Sequence, residues 1–300
     1  MAVVRGRRAR LQGDVKAGTA GGGDEGGEGR GVGGGSGAEG FDDLADAPAW
    51  EGGPSWGRRQ ASVGDDLAVT VSCPPGQVPI SGGAYATVGQ PLYSNMVALV
   101  ESMPAQNTQG AYGWTAAARS GPKPLTVTVH AVCIYAPAGY EVAEQYHFTI
   151  DRNAPLVTTC PTGKVAFGGG GTVYGGTRNL NQSYPGPAGS ASPNQWIVSG
   201  YDVHAEQLRV DGYAICADPI AGLTTTRYTH TTSDDVAGGV LQCATDKKVV
   251  GGGAAVTGYD DTLVTSRPLT AAESGARDGW QVQATGNSTP HGVDLYVTCY

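Results

Sequence analysis

Bulky apolar side chains and charge are both scarce in this sequence. Its 300 residues include only 3 Phe and 3 Met, and 15% of them are charged, whereas about 25% is usual in globular proteins. No run of 18 apolar residues occurs, which excludes a membrane-spanning helix. The formal net charge is −8, so the chain lacks the basic surface that a nucleic-acid or anionic-membrane partner would require.

Glycine is abundant instead, and it is unevenly spread. The 49 Gly and 18 Pro suit short strands joined by turns and do not suit a helical bundle. The first 40 residues are rich in glycine and contain no aromatic residue. Because such a segment offers too little apolar surface to offset its ordering entropy, we expect residues 1–55 to form a disordered tail. Its basic start is not followed by an apolar segment, so no signal peptide is visible.

The rest of the chain consists of three copies of one pattern. Each copy has an opening cysteine, a triplet of small residues, a Leu-x-x-Ser-x-Pro motif, one tryptophan and a closing cysteine. The features are Cys73, Ser81–Gly83, Leu99–Pro104, Trp114 and Cys133 in the first copy; Cys160, Gly168–Gly170, Leu180–Pro185, Trp196 and Cys216 in the second; Cys243, Gly251–Gly253, Leu263–Pro268, Trp280 and Cys299 in the third. Five features in one order indicate internal duplication. We therefore divide the chain beyond the tail into unit 1 (56–133), unit 2 (134–216) and unit 3 (217–300).

The pattern within each unit is that of β-strands. The strand that ends at the closing cysteine alternates, and its cysteine shares a face with apolar residues such as Val127 and Val129. Such period-two alternation predicts a half-buried antiparallel strand. The tryptophan strand alternates with Ala, Val or Gly, which predicts that Trp114, Trp196 and Trp280 belong to the core. The alternative is that these three rings are exposed platforms for sugar rings.

Six cysteines, two in each unit and none in the tail, predict three disulfides. Repeat symmetry favours the pairs Cys73–Cys133, Cys160–Cys216 and Cys243–Cys299. Each bond would close a loop of roughly 60 residues and stabilise the fold by about 4 kcal/mol in the chain-entropy model. The alternative is six buried free thiols in a cytosolic protein. Disulfides form in oxidising compartments, so we expect a secreted, extracellular protein. The spacing of Cys and His predicts no metal site, and no cofactor is expected.

The repeated motif resembles that of a family of uncharacterised secreted bacterial repeat proteins, over residues 56–300. The motif is Cys-Pro-x-Gly-x4-Gly-Gly-Gly, followed by Leu-x-x-Ser-x-Pro, a tryptophan and a closing strand. It begins with Cys73–Gly76 in unit 1 and Cys160–Gly163 in unit 2, whereas Cys243–Asp246 of unit 3 lacks the Pro and the Gly. The chain is more loosely similar to the vitelline-membrane outer-layer proteins through Asp260–Thr262. That similarity implies a β-prism, in which three sheets surround a pseudo-threefold axis.

We therefore expect an all-β fold of three pseudo-symmetric antiparallel repeats arranged like a β-prism. The alternative is three tandem β-sandwich beads, because a repeat of about 83 residues has enough strands to close a small core of its own. The threefold count favours the closed arrangement, and the repeat length favours the beads.

No catalytic residue is assigned from the sequence. It contains neither a Gly-x-Ser-x-Gly nor a His-Glu-x-x-His motif, and the glycine triplets are not followed by Gly-Lys-Ser/Thr. The candidate binding residues are the side chains that face away from the core on the closing strands, His130, Tyr213 and Tyr296.

Three functions are compatible with these observations. The favoured hypothesis is a secreted, disulfide-stabilised, non-catalytic binding protein, with glycans or a cell-surface polymer as its partner. The second is a structural component of a cell envelope or coat. The third, a hydrolase with a site between repeats, needs an acid pair or nucleophile that breaks the repeat symmetry.

Deletion of residues 1–55 should leave the three units folded, because this segment contributes little to any core. Thermal melts of the full and shortened chains check this. A midpoint that falls by many degrees in the shortened chain would contradict it.

Overall fold

The alternating pattern forms β-strands nearly throughout the part of the chain that the computed structural model describes. The described residues are 54–300 except 65, 89–96, 107–109, 121–124, 152, 203–206, 259–260 and 287–288. The strands are β1 (Ser55–Val63), β2 (Val69–Ser72), β3 (Gln77–Val88), β4 (Ala98–Gln106), β5 (Tyr112–Arg119), β6 (Leu125–Tyr135), β7 (Glu141–Thr149), β8 (Leu156–Thr159), β9 (Val165–Tyr174), β10 (Arg178–Gly186), β11 (Gln195–Asp202), β12 (Leu208–Ala217), β13 (Thr224–Thr232), β14 (Val236–Gln242), β15 (Val249–Val256), β16 (Thr262–Leu269), β17 (Gly279–Thr285) and β18 (His291–Cys299). A short helix, α1 (Ala271–Ser274), lies between β16 and β17. The all-β fold class is confirmed.

The strands form three six-stranded antiparallel sheets, and every sheet is shared between two units. Sheet 1 has the strand order β1-β6-β3-β16-β17-β14, sheet 2 the order β2-β5-β4-β9-β12-β7, and sheet 3 the order β13-β18-β15-β10-β11-β8. Sheet 1 therefore joins units 1 and 3, sheet 2 joins units 1 and 2, and sheet 3 joins units 2 and 3. Among the described residues no unit has a sheet of its own, so three tandem β-sandwich beads do not describe this fold. The closure of the three sheets into a prism stays a prediction.

The predicted disorder of residues 1–55 falls almost wholly outside the described residues. Only Pro54 and Ser55 of that segment are described, and Ser55 begins β1. The described part of the chain has no helix of the length and apolarity that a membrane crossing requires.

Each sheet has a short joint where the strands of its two units meet. The joint strands β3 and β16 pair over only two residues on each side, as do β4 with β9 and β10 with β15. The last glycine of each triplet lies at this joint. A Cβ atom on it would overlap the backbone of the strand from the other unit, as Gly83 would overlap Ser266, Gly170 Ser102, and Gly253 Ser183. Glycine is therefore required wherever two units share a sheet.

A β-bulge precedes each small-residue triplet. The extra residue of each bulge, which has no register partner on the neighbouring strand, is Ile80, Phe167 or Val250. All three are fully buried and belong to one apolar cluster, so every unit contributes its bulged residue to that cluster. The bulges thus re-aim three equivalent side chains into a core shared by the three units, which is a recognised role of an extra residue in a strand.

The tryptophans link the sheets from inside. Trp114, Trp196 and Trp280 are at most 1% exposed, as their alternation predicts. Each indole N–H donates a 3.0 Å hydrogen bond to the serine of its own Leu-x-x-Ser-x-Pro motif. Each ring fills the space above the middle glycine of its triplet, which lies on the other sheet of the same unit. A Cβ atom on that glycine would collide with the indole, and the three contacts are Gly82 with Trp114, Gly169 with Trp196, and Gly252 with Trp280.

The disulfides also connect different sheets. The bonds are Cys73–Cys133, Cys160–Cys216 and Cys243–Cys299, with Cα–Cα distances of 5.6–5.8 Å. These are the pairs favoured by repeat symmetry, and the described residues contain no free cysteine. Cys73 follows β2 of sheet 2, whereas Cys133 lies in β6 of sheet 1. Each unit therefore closes one covalent link between the two sheets to which it contributes.

Replacing Trp196 with Ala should lower the free energy of unfolding by about 3–5 kcal/mol, because it empties a large core site and leaves Ser183 without its donor. Urea unfolding measures this loss. Tyr228 is 55% exposed, so Tyr228→Ala is the control and should change stability by only about 0.5 kcal/mol. If both variants unfold at the wild-type midpoint, the tryptophan does not hold the sheets together.

Candidate functional site

Equivalent residues have the same strand register on the outward faces of the three sheets. The closing strands carry the candidate binding residues, which lie on three different sheets: His130 on sheet 1, Tyr213 on sheet 2 and Tyr296 on sheet 3. Each of them pairs with the joint glycine of the neighbouring strand. On the far side of that glycine lies a residue from another unit. This residue is Arg267 on sheet 1, Met103 on sheet 2 and Tyr184 on sheet 3. The three candidates therefore do not form one site.

On sheet 1 the space over the joint glycine is closed by an arginine. The Nη1 atom of Arg267 lies 3.3 Å from Nε2 of His130, and its guanidinium stacks over the ring of Tyr85 at 4.6 Å. His130 is only 4% exposed. Burial, with the positive charge of Arg267 as a second cause, lowers the pKa of His130 to about 3. The prediction that His130 is a surface residue is thus wrong, because a side chain from unit 3 covers it.

On sheet 3 the same space is closed by two stacked tyrosines. The rings of Tyr184 and Tyr296 are 4.9 Å apart and nearly parallel. Tyr296 is only 2% exposed, and burial raises the pKa of its hydroxyl. The prediction that Tyr296 is a surface aromatic is therefore also wrong. Its cover, Tyr184, comes from unit 2 and reaches it only because the two units share a sheet.

Sheet 2 differs from the other two, because its outward face is rich in exposed aromatic rings. Tyr146 is 60% exposed, Phe148 57% and Tyr174 44%, while Tyr213 is half-buried. The centroids of Tyr146 and Phe148 are 6.1 Å apart in an edge-to-face arrangement. The Cζ atom of Arg209 lies 5.0 Å from the ring of Tyr146 and 5.2 Å from that of Tyr174. We call these five residues the tyrosine face.

An ion pair fixes the arginine at the centre of the tyrosine face. Nε of Arg209 donates to Oδ1 of Asp211 at 2.6 Å, and Nη2 donates to Oδ2 at 2.7 Å. Asp211 is almost fully buried, whereas the Arg209 side chain is 41% exposed. Such a two-point contact fixes the plane of the guanidinium. Nη1 of Arg209 takes no part in this ion pair.

Two glutamates border the tyrosine face on opposite sides. Glu144 is exposed on β7 and accepts a 3.3 Å hydrogen bond from the hydroxyl of Tyr213. Glu101, on β4 of unit 1, is half-buried and accepts a hydrogen bond from Thr115. Burial raises the pKa of Glu101, although hydrogen bonds from Thr172 and Thr115 oppose the shift. The outward face of sheet 2 thus has aromatic rings with a carboxyl group on either side of them.

The strand register of sheet 2 aligns two carboxyl groups across the joint between units 1 and 2. Asp211 pairs with Thr172, and Thr172 pairs with Glu101. The equivalent residues are Thr128 and Thr265 on sheet 1, and Asp294 and Gln182 on sheet 3. Only sheet 2 has acids at both positions, so the repeat symmetry is broken here. Both oxygens of Asp211 accept from Arg209, however, which makes it an ion-pair partner rather than a free base.

The exposed aromatics were missed by the sequence analysis, although the repeat itself contained a signal. Tyr146 and Phe148 occupy the positions in β7 that Thr229 and Thr231 occupy in β13. Such a departure from the repeat, toward large apolar residues on an outward face, marks a candidate interaction surface.

No family model matches the chain, and no curated protein matches it in sequence. Among the described residues, no group of three or more His, Cys, Asp or Glu side chains is arranged to hold a metal ion.

Replacing Glu101 with Gln should raise the free energy of unfolding, relative to wild type, more at neutral pH than at low pH. The raised pKa means that the folded state binds the carboxyl proton more tightly than the unfolded state does. The contribution of Glu101 to wild-type stability is therefore fully present below pH 4.5, the usual pKa of this group. It is lost as the pH rises through the higher pKa of the folded state. Denaturant unfolding at acidic and neutral pH checks whether the gain of Glu101→Gln over wild type grows with pH. An equal difference at both pH values would contradict the assigned burial effect.

Proposed function

We propose that this chain is a secreted carbohydrate-binding protein without catalytic function, and that the tyrosine face of sheet 2 is its binding surface. The observation that carries the proposal is Arg209, which Asp211 holds between two exposed tyrosine rings. Sugar rings have apolar C–H faces that stack on aromatic rings, and their hydroxyl groups pair with fixed donors and acceptors. The tyrosine face and its two glutamates offer both kinds of contact.

Preorganisation supports this proposal. The Asp211 contact holds Arg209 in place before any ligand arrives, and the rings on both sides of it belong to paired strands. Groups that are already ordered lose little entropy on binding. Because Tyr146 and Tyr174 lie on either side of one guanidinium, a chain of two or three sugar rings would span both. We therefore expect an oligosaccharide rather than a monosaccharide as the ligand.

The disulfides support secretion. Three bonds that connect separate sheets are compatible with an oxidising compartment outside the cytosol. The same covalent links would also suit a structural envelope component, which is the second candidate. A protein of that kind would assemble without any ligand. Hydrolysis remains the third candidate, and Glu101 would be its acid, but Asp211 would first have to be released from Arg209.

Replacing Tyr146 or Tyr174 with Ala should weaken oligosaccharide binding about tenfold or more, which is the effect expected for an aromatic residue at the centre of a binding surface. Binding is first sought on a glycan array and on insoluble cellulose and chitin. Calorimetric titration with the soluble oligomers of any positive glycan then gives the affinities.

Tyr228→Ala is the matched control, because Tyr228 is an exposed tyrosine on β13 of sheet 3. It should bind like wild type. All three variants should unfold at nearly the wild-type midpoint, since each ring is exposed. Equal binding by the three variants would remove the tyrosine face as the site. Self-assembly without any glycan binding would instead favour the envelope component.

A further inference from the structure

One exposed acid beside the tyrosine face has no ion-pair partner among the described residues. The acids on this side of sheet 2 include Glu101, Glu144 and Asp211, and the bases include Arg209 and, on β5 two residues beyond the register partner of Glu101, Arg119. Arg209 and Asp211 form a bidentate ion pair and neutralise each other. A further base, Arg178, acts on Glu101 from the neighbouring sheet. It is itself paired with Asp66 at 3.3 Å.

Glu144 is the most exposed of these acids, since Glu101 is half-buried and Asp211 is buried. It is exposed on β7, two residues from Tyr146, so both side chains project from the same face of the strand. Its register partner is Tyr213, whose hydroxyl donates to it. A ligand that stacks on Tyr146 therefore has a carboxylate beside it. No ion pair of Glu144 is found among the described residues, in contrast to Glu141, which pairs with Lys164 at 2.7 Å.

On the basis of the proposed function, we infer that the tyrosine face prefers glycans that carry protonated amino groups, such as polymers of glucosamine, and that Glu144 is the residue that determines this preference. The amino group of such a sugar meets a carboxylate at Glu144 and a ring face at Tyr146, and both attract a cation. An acidic glycan would place its carboxylates against Glu144 and Glu101, and like charges repel. The net charge of −8 adds to that repulsion at long range.

The preference is expected to be moderate, because Glu144 is exposed and its ion pair would be screened by solvent. We expect the glucosamine hexamer to bind about threefold to fivefold more tightly than the N-acetylglucosamine hexamer, which has the same backbone and no charge. Raising the salt concentration should reduce this ratio, since salt screens exposed charges.

The experiment compares calorimetric titrations of these two hexamers, and of a hyaluronan oligomer as the acidic glycan, in mildly acidic buffer where the amine is protonated. Wild type should follow the order glucosamine, N-acetylglucosamine, hyaluronan. Glu144→Gln should bind both hexamers with similar affinity, because only the charge has been removed. Asp234→Asn is the matched control, since it removes one exposed acid from the turn between β13 and β14 of other sheets. It should keep the wild-type ratio.

The outcomes separate the inference from the function on which it rests. If Tyr146→Ala abolishes binding but Glu144→Gln keeps the wild-type ratio, the tyrosine face binds glycans and the assignment of Glu144 is overturned. Tighter binding of hyaluronan than of the glucosamine hexamer would overturn the charge preference itself. If none of the three oligomers and no array glycan binds, the proposed function fails, and the inference fails with it.

Discussion

The contact between a tryptophan ring and a bare glycine backbone is the interaction on which the arrangement of the sheets depends. Each indole belongs to one sheet and fills the space over a glycine of another, as Trp196 does over Gly169. The serine bond satisfies the indole N–H, so no polar group is left unpaired by this burial. A side chain on the glycine would push the sheets apart, and a smaller ring would leave a cavity. Since the contact occurs once in every unit, the three sheets are spaced in the same way.

The features that repeat within one unit could be predicted, and those that arise between units could not. Alternation placed Trp114 in the core, and symmetry favoured the pairing of Cys73 with Cys133, because both depend on neighbours in the same unit. The sharing of sheets depends on joints of two residue pairs, and the glycine and serine that recur at these joints do not indicate which unit supplies the partner strand. His130 and Tyr296 were therefore misplaced, since their covers, Arg267 and Tyr184, come from other units.

The tyrosine face shows how a repeated scaffold can carry one local specialisation. On sheets 1 and 3 the position over the joint glycine is filled by a close contact between side chains of two units. On sheet 2, Tyr213 remains half-buried, and the edge strand beside it carries Tyr146 and Phe148. These replacements lie on outward positions and leave the tryptophans, glycines and cysteines of the core unchanged. Duplication thus supplies the stability, and divergence of a few surface residues on a single sheet supplies the candidate site.

Sheet 1 contains strands from the beginning and from the end of the repeated region. Its strands β1, β3 and β6 have no complete set of partners until β14, β16 and β17 of unit 3 have been synthesised. Long-range pairing of this kind is slow to form, because distant segments must meet before any contact stabilises them. Sheet 1 therefore cannot be completed before unit 3 has been synthesised. The order of synthesis thus makes the completion of this sheet a late event in folding.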